Sequence, residues 1–262
     1  RRVLFRSPHA PYVPAPKYSR QKFTIGPIPG VGDTTGKPPW VTDRKPVRQH
    51  AGANLARKQA RCLSSVDDNV ERIVTALQQQ KRLNNTLLVF LSDNGLTWGE
   101  FNILGEKNYP YTTDIPLVAR WDKAPAGSAL SRPGTADDRL VSITDVTMTI
   151  LKAAGASTTG VQDGMDLSQP SASRSDLLIS AWRNRGGPGS MPAYCGIRTP
   201  SWLYVRYSPG FEELYDLRRD PNFLTNLASK AALGSTLQHM RSKIRVQCDP
   251  APPGYRWNTA GG

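Results

Sequence analysis

Between residues 55 and 83 apolar side chains recur three or four positions apart, at Leu55, Cys62, Leu63, Val66, Val70, Ile73, Val74 and Leu77. That spacing predicts one helix laid on a sheet. Asp67 and Asp68 interrupt the stripe. Adjacent helical residues diverge by about 100°, so the pair belongs to a solvated face and does not converge on a cation. Asn84-Asn85 ends the helix, and residues 86–91 (TLLVFL) follow as an unbroken apolar run. Its length and β-forming residues predict a strand buried on both faces of a parallel sheet. Residues 115–121 (IPLVARW) read as a second strand, with Pro116 suited to its start. After a Pro-, Gly- and Ser-rich loop over 122–140, Thr144 or Asp145 caps a short helix through Ala154 that Gly155 ends. Strand and helix alternate as in a layered α/β domain.

Beyond about Ser173 the pattern shortens. Residues 177–182, Tyr194–Arg198, Trp202–Tyr207 and 213–217 are strand candidates. Ser208-Pro209-Gly210-Phe211 has the composition of a hairpin turn. A helix over about 230–246 completes a small antiparallel sheet with a terminal helix. Trp202, Tyr204 and Tyr207 resemble a base-stacking platform, but cross-strand packing is the use that aromatic residues usually serve in such strands. Residues 18–49 carry Pro, Gly and Lys with little periodicity and predict a long surface loop lining a cleft. The Pro- and Gly-rich stretch 249–262 predicts disorder. The expected units are therefore 8–173, 174–248 and a tail, 249–262.

Chemistry concentrates where the 86–91 run stops, at Ser92-Asp93-Asn94-Gly95. Ligands of open α/β sheets sit beyond the carboxyl ends of the strands. There Asp93 offers a carboxylate and Asn94 an amide oxygen, donors suited to a hard divalent cation. Gly95 allows a tight turn behind them. Lys107, after a Gly- and Asn-rich loop, can bring a compact positive charge to an anionic oxygen. Alone, D-N-G is also a favourable turn sequence.

The order of the pieces adds a family context. RCLSSVDDNVERIVTAL, NTLLVFLSDNG, GEKNYPYTTDIPLVARW, DGMDL and ELYDLRRDPNFLTNLA occur in the order found in the carboxyl half of the type I sulfatases, which this chain resembles over most of Pro8–Cys248. The resemblance implies an alkaline-phosphatase-like layered sheet with helices on both faces, partly represented here, and metal-dependent hydrolysis of a sulfate ester. It places Asp93 and Asn94 on two metal-ligand positions, most simply for calcium, and Lys107 on a sulfate-binding lysine. His9, in the Pro8–Pro16 loop, falls on the position of a histidine that contacts the sulfate ester. When protonated it can donate to a sulfate oxygen or to the leaving alkoxide.

In that family a cysteine or serine in a C/S-x-P-x-R motif becomes formylglycine and supplies the attacking oxygen. No such motif occurs here: Cys248 opens C-D-P-A-P, Ser168 opens S-Q-P-S-A and Ser131 opens S-R-P-G-T. The family's early metal-binding aspartates also lie upstream of the matched region. The sequence therefore predicts a sulfatase relative that does not turn over by itself, with an incomplete cation site. Phe101 stands where many members carry a histidine, and Thr112 where a glutamate often follows tyrosine. Loss of early strands would leave an unpaired edge and exposed apolar surface. Two alternatives share the observations: a phosphate or phosphonate monoester hydrolase of the same superfamily, and a non-catalytic module that binds sulfated glycans.

Composition narrows the partners. The 262 residues carry a formal net charge of +13, which favours anionic ligands. A sulfated small molecule or glycan fits. Nucleic acid does not, because the cations are scattered and no reader motif is present. No apolar run approaches the roughly 18 residues of a membrane span. Cys195 and Cys248 can bridge without the spacing deciding it, while Cys62 lies on the apolar side of the predicted helix. Compartment is left open, with the family resemblance implying a secreted or periplasmic protein. Arg1–Ser7 reads as a translated sequencing adapter, so the native chain is expected to start near Pro8.

Overall fold

The computed structural model describes residues 9–157, 159–160, 162–182 and 190–257. The segment read as a surface loop, 18–49, is more integrated than its composition implies. Pro38 and Pro39 set up a four-residue helix, α1 (Pro39–Thr42), whose Val41 is buried. Ile28 and Lys37 are buried as well. Aperiodic sequence hides this because single side chains, not a repeating face, are what the segment inserts.

The long helix α2 (Gln49–Gln79) starts six residues before Leu55, since nothing in His50–Asn54 except Gly52 opposes a helix. It ends before Asn84: Lys81 takes a left-handed φ of 55° and a short 3₁₀ turn, Leu83–Asn85, leads on. Segment 15–23 lies along one stripe of α2, rising from Ser65 to Asp68 and then turning back antiparallel to Arg57. Ser65 Oγ accepts from the Ala15 amide at 2.9 Å, Asp68 accepts from Tyr18 at 2.6 Å and pairs with Lys17 at 2.7 Å, Arg61 donates to the Gln21 carbonyl at 2.9 Å, and Arg57 donates to that of Phe23 at 3.3 Å. Asp68 thus anchors this segment, a correction to its reading as merely solvated.

Strand β1 (Leu88–Leu91) pairs with β2 (Leu117–Arg120), and the pairing is antiparallel, with Phe90 opposite Val118. The expectation of a parallel strand buried on both faces is overturned. An apolar run reports burial but not strand direction, and the chain between β1 and β2 simply folds back. Burial is also incomplete: Phe90 is 40% and Val118 64% exposed. Together with Leu63, Val66 and Val70 of α2 they line an apolar groove of about 540 Å³. Helix α3 (Ile143–Ala153) is capped by Ser142 in place of Thr144 or Asp145. Asp145, at the third helical position, closes a capping box by accepting from the Ser142 amide at 2.7 Å.

The last third forms an antiparallel sheet in the order β3 (Leu177–Ala181), β4 (Tyr194–Arg198), β5 (Trp202–Tyr207), β6 (Glu212–Asp216). Alternation sorts its side chains to two faces. Ile197, Tyr204 and Leu214 meet Leu237, Met240 and Ile244 of α4 (Gly234–Gln247). Leu203, Val205, Tyr207 and Tyr215 meet Val41, Phe101, Ile103 and Tyr109 from the earlier segments. Tyr204 and Tyr207 are fully buried, so these aromatics pack and do not form a stacking platform. Cys195 and Cys248 are disulfide-bonded, and Cys62 is free and buried. The tail predicted to be disordered from Asp249 is instead placed through Trp257, because Tyr255 packs beside that disulfide and accepts from Arg206 at 2.9 Å. Residues 258–262 and the 1–7 leader lie outside the described residues.

Gly52 joins α2 to the loop after β1. A Cβ there would stand 1.6 Å from the Trp98 carbonyl oxygen and 2.7 Å from the Ile28 side chain. Gly52→Ala must push helix and loop apart, and is expected to cost about 2–3 kcal/mol, seen in thermal melts as a fall of roughly 5–10 °C.

Candidate functional site

Three short pairings build the loop that follows β1. The Gly95 amide donates to the Thr112 carbonyl at 3.0 Å, the Thr97 amide to that of Glu106 at 3.0 Å, and the Gly105 amide to that of Thr97 at 2.8 Å. Residues 106–112 therefore run back beside 95–97, which brings Lys107 into the loop cluster that carries Asp93 and Asn94. Gly95 is required for closeness: a Cβ would meet the Thr112 carbonyl oxygen at 2.7 Å. Arg44 braces the cluster from outside, with 2.6 and 3.1 Å contacts to both Glu106 oxygens and one of 2.7 Å to Tyr109.

Within this frame the oxygen donors are unspent. Ser92 donates to the Asn94 carbonyl at 2.7 Å and Asn94 Nδ2 donates to the Gly95 carbonyl at 2.8 Å, an arrangement that turns Oδ1 away from its own backbone. The exposed Asp93 carboxylate and the exposed Lys107 ammonium have no hydrogen-bond or ion-pair partner among the described residues. His9 is exposed, and its Nδ1 donates to the Ala10 carbonyl at 2.8 Å, while Nε2 has no hydrogen-bond partner among the described residues. Its loop reaches the site through one relay. Gln59 of α2 donates to Tyr12 at 3.4 Å and accepts from Trp98 Nε1 at 2.7 Å. The fold thus hangs the His9 loop and the post-β1 loop on the same turn of α2, but no direct contact joins His9 to Asp93, Asn94 or Lys107.

As a cation site the pair is chemically apt and numerically short. A carboxylate and an amide oxygen suit a hard ion, yet such ions take six to eight oxygens. No group of three or more His, Cys, Asp or Glu side chains is arranged to hold a metal among the described residues. The three residues compared with the nucleophile motif are also engaged: Cys248 is disulfide-bonded, the buried Ser168 donates to Asp166 at 2.7 Å, and Ser131 donates to the Ser128 carbonyl at 3.0 Å.

One cluster beside the site escaped the sequence reading. Glu213 of β6 is fully buried and accepts from Tyr111 at 2.5 Å, Tyr215 at 2.6 Å and Tyr207 at 2.7 Å. Burial, and then the adjacent Glu213 charge, pushes all three phenols well above the usual tyrosine range. Lys37, 5% exposed, donates to Tyr215 and to the Phe223 carbonyl at 2.6 Å each and lies 3.9 Å from Glu213. Its ammonium sits over the rings of Phe101 at 3.7 Å, Tyr111 at 4.3 Å and Tyr215 at 4.5 Å. Burial brings its pKa down to about 8, against the opposing pull of Glu213, Asp220 and Asp33. Phe101, which stands where many sulfatases carry a histidine, is buried and serves as the floor of this cage. The only available signal was Glu213 falling on the inward phase of a strand, which a glutamate seldom occupies.

Chains solved with a similar fold include a 2-O GAG sulfatase and phosphonate monoester hydrolases. A phosphonate monoester hydrolase from Silicibacter pomeroyi superposes with a TM-score of 0.73 at 19% identity, covering 92% of this chain and 54% of that one. A protein solved in complex with its substrate D-glucosamine-2-N,6-O-disulfate gives 0.63 at 22% identity, covering 76% and 41%. At such identities the likeness establishes the fold. The sequence is more specific: the Sulfatase family model matches residues 3–156, and the chain belongs to the sulfatase family. It is 28% identical to human N-acetylglucosamine-6-sulfatase over 85% of this chain and 47% of that protein. It is 25% identical to the arylsulfatase of Clostridium perfringens over 97% of this chain and 54% of that protein. The chain spans about half the length of these relatives. No helix among the described residues is long and apolar enough to cross a membrane.

Proposed function

We propose that this chain supplies the cation-binding pair and the sulfate-binding lysine of a sulfuric ester hydrolase whose substrate is a sulfated sugar or small molecule. The observation that carries the reading is the unspent pair Asp93 and Asn94 at the end of β1, held in one loop cluster with Lys107. Asp93 and the Asn94 amide oxygen would hold a divalent cation, most simply Ca²⁺, which when bound polarises sulfate oxygens. Lys107 would bring a positive charge to a sulfate oxygen as it gains negative charge. His9, its Nδ1 engaged by the Ala10 carbonyl, would turn Nε2 to the ester oxygen. A formylglycine, where such a protein has one, supplies the nucleophile, and no described residue takes that part. The chain alone is therefore an inactive half-site.

Titration of the 262-residue chain with Ca²⁺ or luminescent Tb³⁺ tests the pair. Binding is expected in the millimolar range, as for sparsely liganded sites, and Asp93→Ala is expected to weaken it at least tenfold with an unchanged melting temperature. Equal binding by wild type and Asp93→Ala would remove the pair from the metal site. Turnover of an aryl sulfate by this chain alone would refute the missing nucleophile. Faster turnover of an aryl phosphonate than of an aryl sulfate by a longer form would replace the sulfate reading with its superfamily alternative.

A further inference from the structure

The charge of +13 is not spread evenly. No Asp or Glu occurs from residue 8 to 32, nor from 44 to 66, while these two stretches hold Lys17, Arg20, Lys22, Arg44, Lys45, Arg48, Arg57, Lys58 and Arg61. The fold lays part of the first stretch on the second. Arg61 Nε donates to the Gln21 carbonyl and Arg57 Nε to that of Phe23, so two guanidinium groups one helical turn apart are fixed against the segment that carries Arg20 and Lys22. Lys58 lies exposed between them in sequence, as Arg20 and Lys22 do on the segment. Among the described residues the only ion pairs of these nine cations are Lys17 with Asp68 and Arg44 with Glu106. Arg20, Lys22, Arg57, Lys58 and Arg61 have none. Five uncompensated cations gathered where the segment meets one turn of α2 repel one another, a cost that an anionic ligand relieves.

We infer that this face, Arg20, Lys22, Arg57, Lys58 and Arg61, is a docking surface for a sulfated polysaccharide chain, separate from the groups that would act on a sulfate ester. Two features select a polyanionic sugar. The cations come from two stretches laid on one another, three from one turn of α2 and two from the segment against it, so they suit a polymer carrying many charges better than one small anion. The same turn of α2 carries Gln59, which holds Tyr12 of the His9 loop and Trp98 of the loop after β1, so the cations and the candidate sulfate site share one helical turn. Nucleic acid fits less well, because sequence-tolerant binding of single strands uses exposed aromatic rings along the basic track. The nearest rings are otherwise engaged: Phe23 lines the apolar groove, and Tyr18 is tied to Asp68.

The test compares two triple variants of the full chain. Arg20→Ser/Lys22→Ser/Lys58→Ser removes three surface charges whose side chains make no hydrogen bond, and Lys123→Ser/Lys152→Ser/Lys230→Ser removes three exposed charges elsewhere. Binding of a fluorescent heparin oligosaccharide is measured against NaCl concentration, with melting curves confirming that both variants fold. The first variant should bind at least tenfold more weakly at 0.1 M salt, and its dependence of log affinity on log salt should fall by about 2–3, as expected when three charges leave the contact. The second should lose less than threefold. Equal losses would show a net-charge effect with no surface, and would overturn the inference. So would a single-stranded DNA of equal length bound tenfold more tightly than heparin. Neither measurement needs turnover, so the surface and the proposed hydrolase site stand or fall separately.

Discussion

Glu213→Ala is expected to remove about 3–5 kcal/mol of folding stability, the range for breaking a buried charge pair from one side. The carboxylate accepts three phenol hydrogen bonds and stands 3.9 Å from a buried ammonium. Its removal leaves Tyr111, Tyr207 and Tyr215 without an acceptor, and each unmet buried donor costs on the order of 1 kcal/mol or more. Glu213→Gln separates the contributions, since it keeps one acceptor oxygen but not the charge, and should lose roughly half as much. Urea unfolding followed by tryptophan fluorescence reads both variants. A loss below about 1 kcal/mol for the alanine variant would mean that water readily replaces the carboxylate. The consequence reaches the site because Tyr111 belongs to the 106–112 return of the loop. Amide exchange in residues 95–112 should therefore rise before exchange in α3, which shares no contact with Glu213 among the described hydrogen bonds.

The extent to which this was legible follows from how many residues share each signal. The carboxyl-terminal strands were readable because alternation repeats over whole elements: Tyr194–Arg198 and Trp202–Tyr207 form as predicted, and β6 moves by one residue. The apolar stripe found α2 but not its ends, since Gln49–Asn54 are helical through propensity without adding to the stripe. The Asp93-Asn94 pair was visible because a polar dipeptide ends an apolar run. Its closeness to Lys107 was not, for it depends on backbone pairings such as Gly95 with Thr112. The Lys37 cage was out of reach altogether. It joins residues 37, 101, 111, 213 and 215, each of which looks ordinary in its own neighbourhood. A lysine in a Pro- and Gly-rich stretch is usually solvated, and only the return of the late sheet onto that stretch buries it.

That buried lysine gives the last prediction, an unusual pH profile. Its pKa in the fold is about 8, against an ordinary value near 10.4 in the unfolded chain. Below pH 8 both states hold the proton and the fold bears the full cost of burying the charge. Between pH 8 and about 10.4 the unfolded chain keeps a proton that the native protein has released, so stability rises with pH. The gain should reach about 2 kcal/mol between pH 7 and 9.5, from one group titrating about two units below its ordinary value. Above pH 10 the sign reverses, because the unfolded chain loses tyrosine protons that Tyr111, Tyr207 and Tyr215 retain in the fold. Lys37→Met should abolish the rise and keep the fall. Urea midpoints for wild type and variant at half-unit steps from pH 7 to 11 would show it, and a wild-type curve parallel to that of Lys37→Met across pH 7–9.5 would mean that Lys37 is solvated in solution.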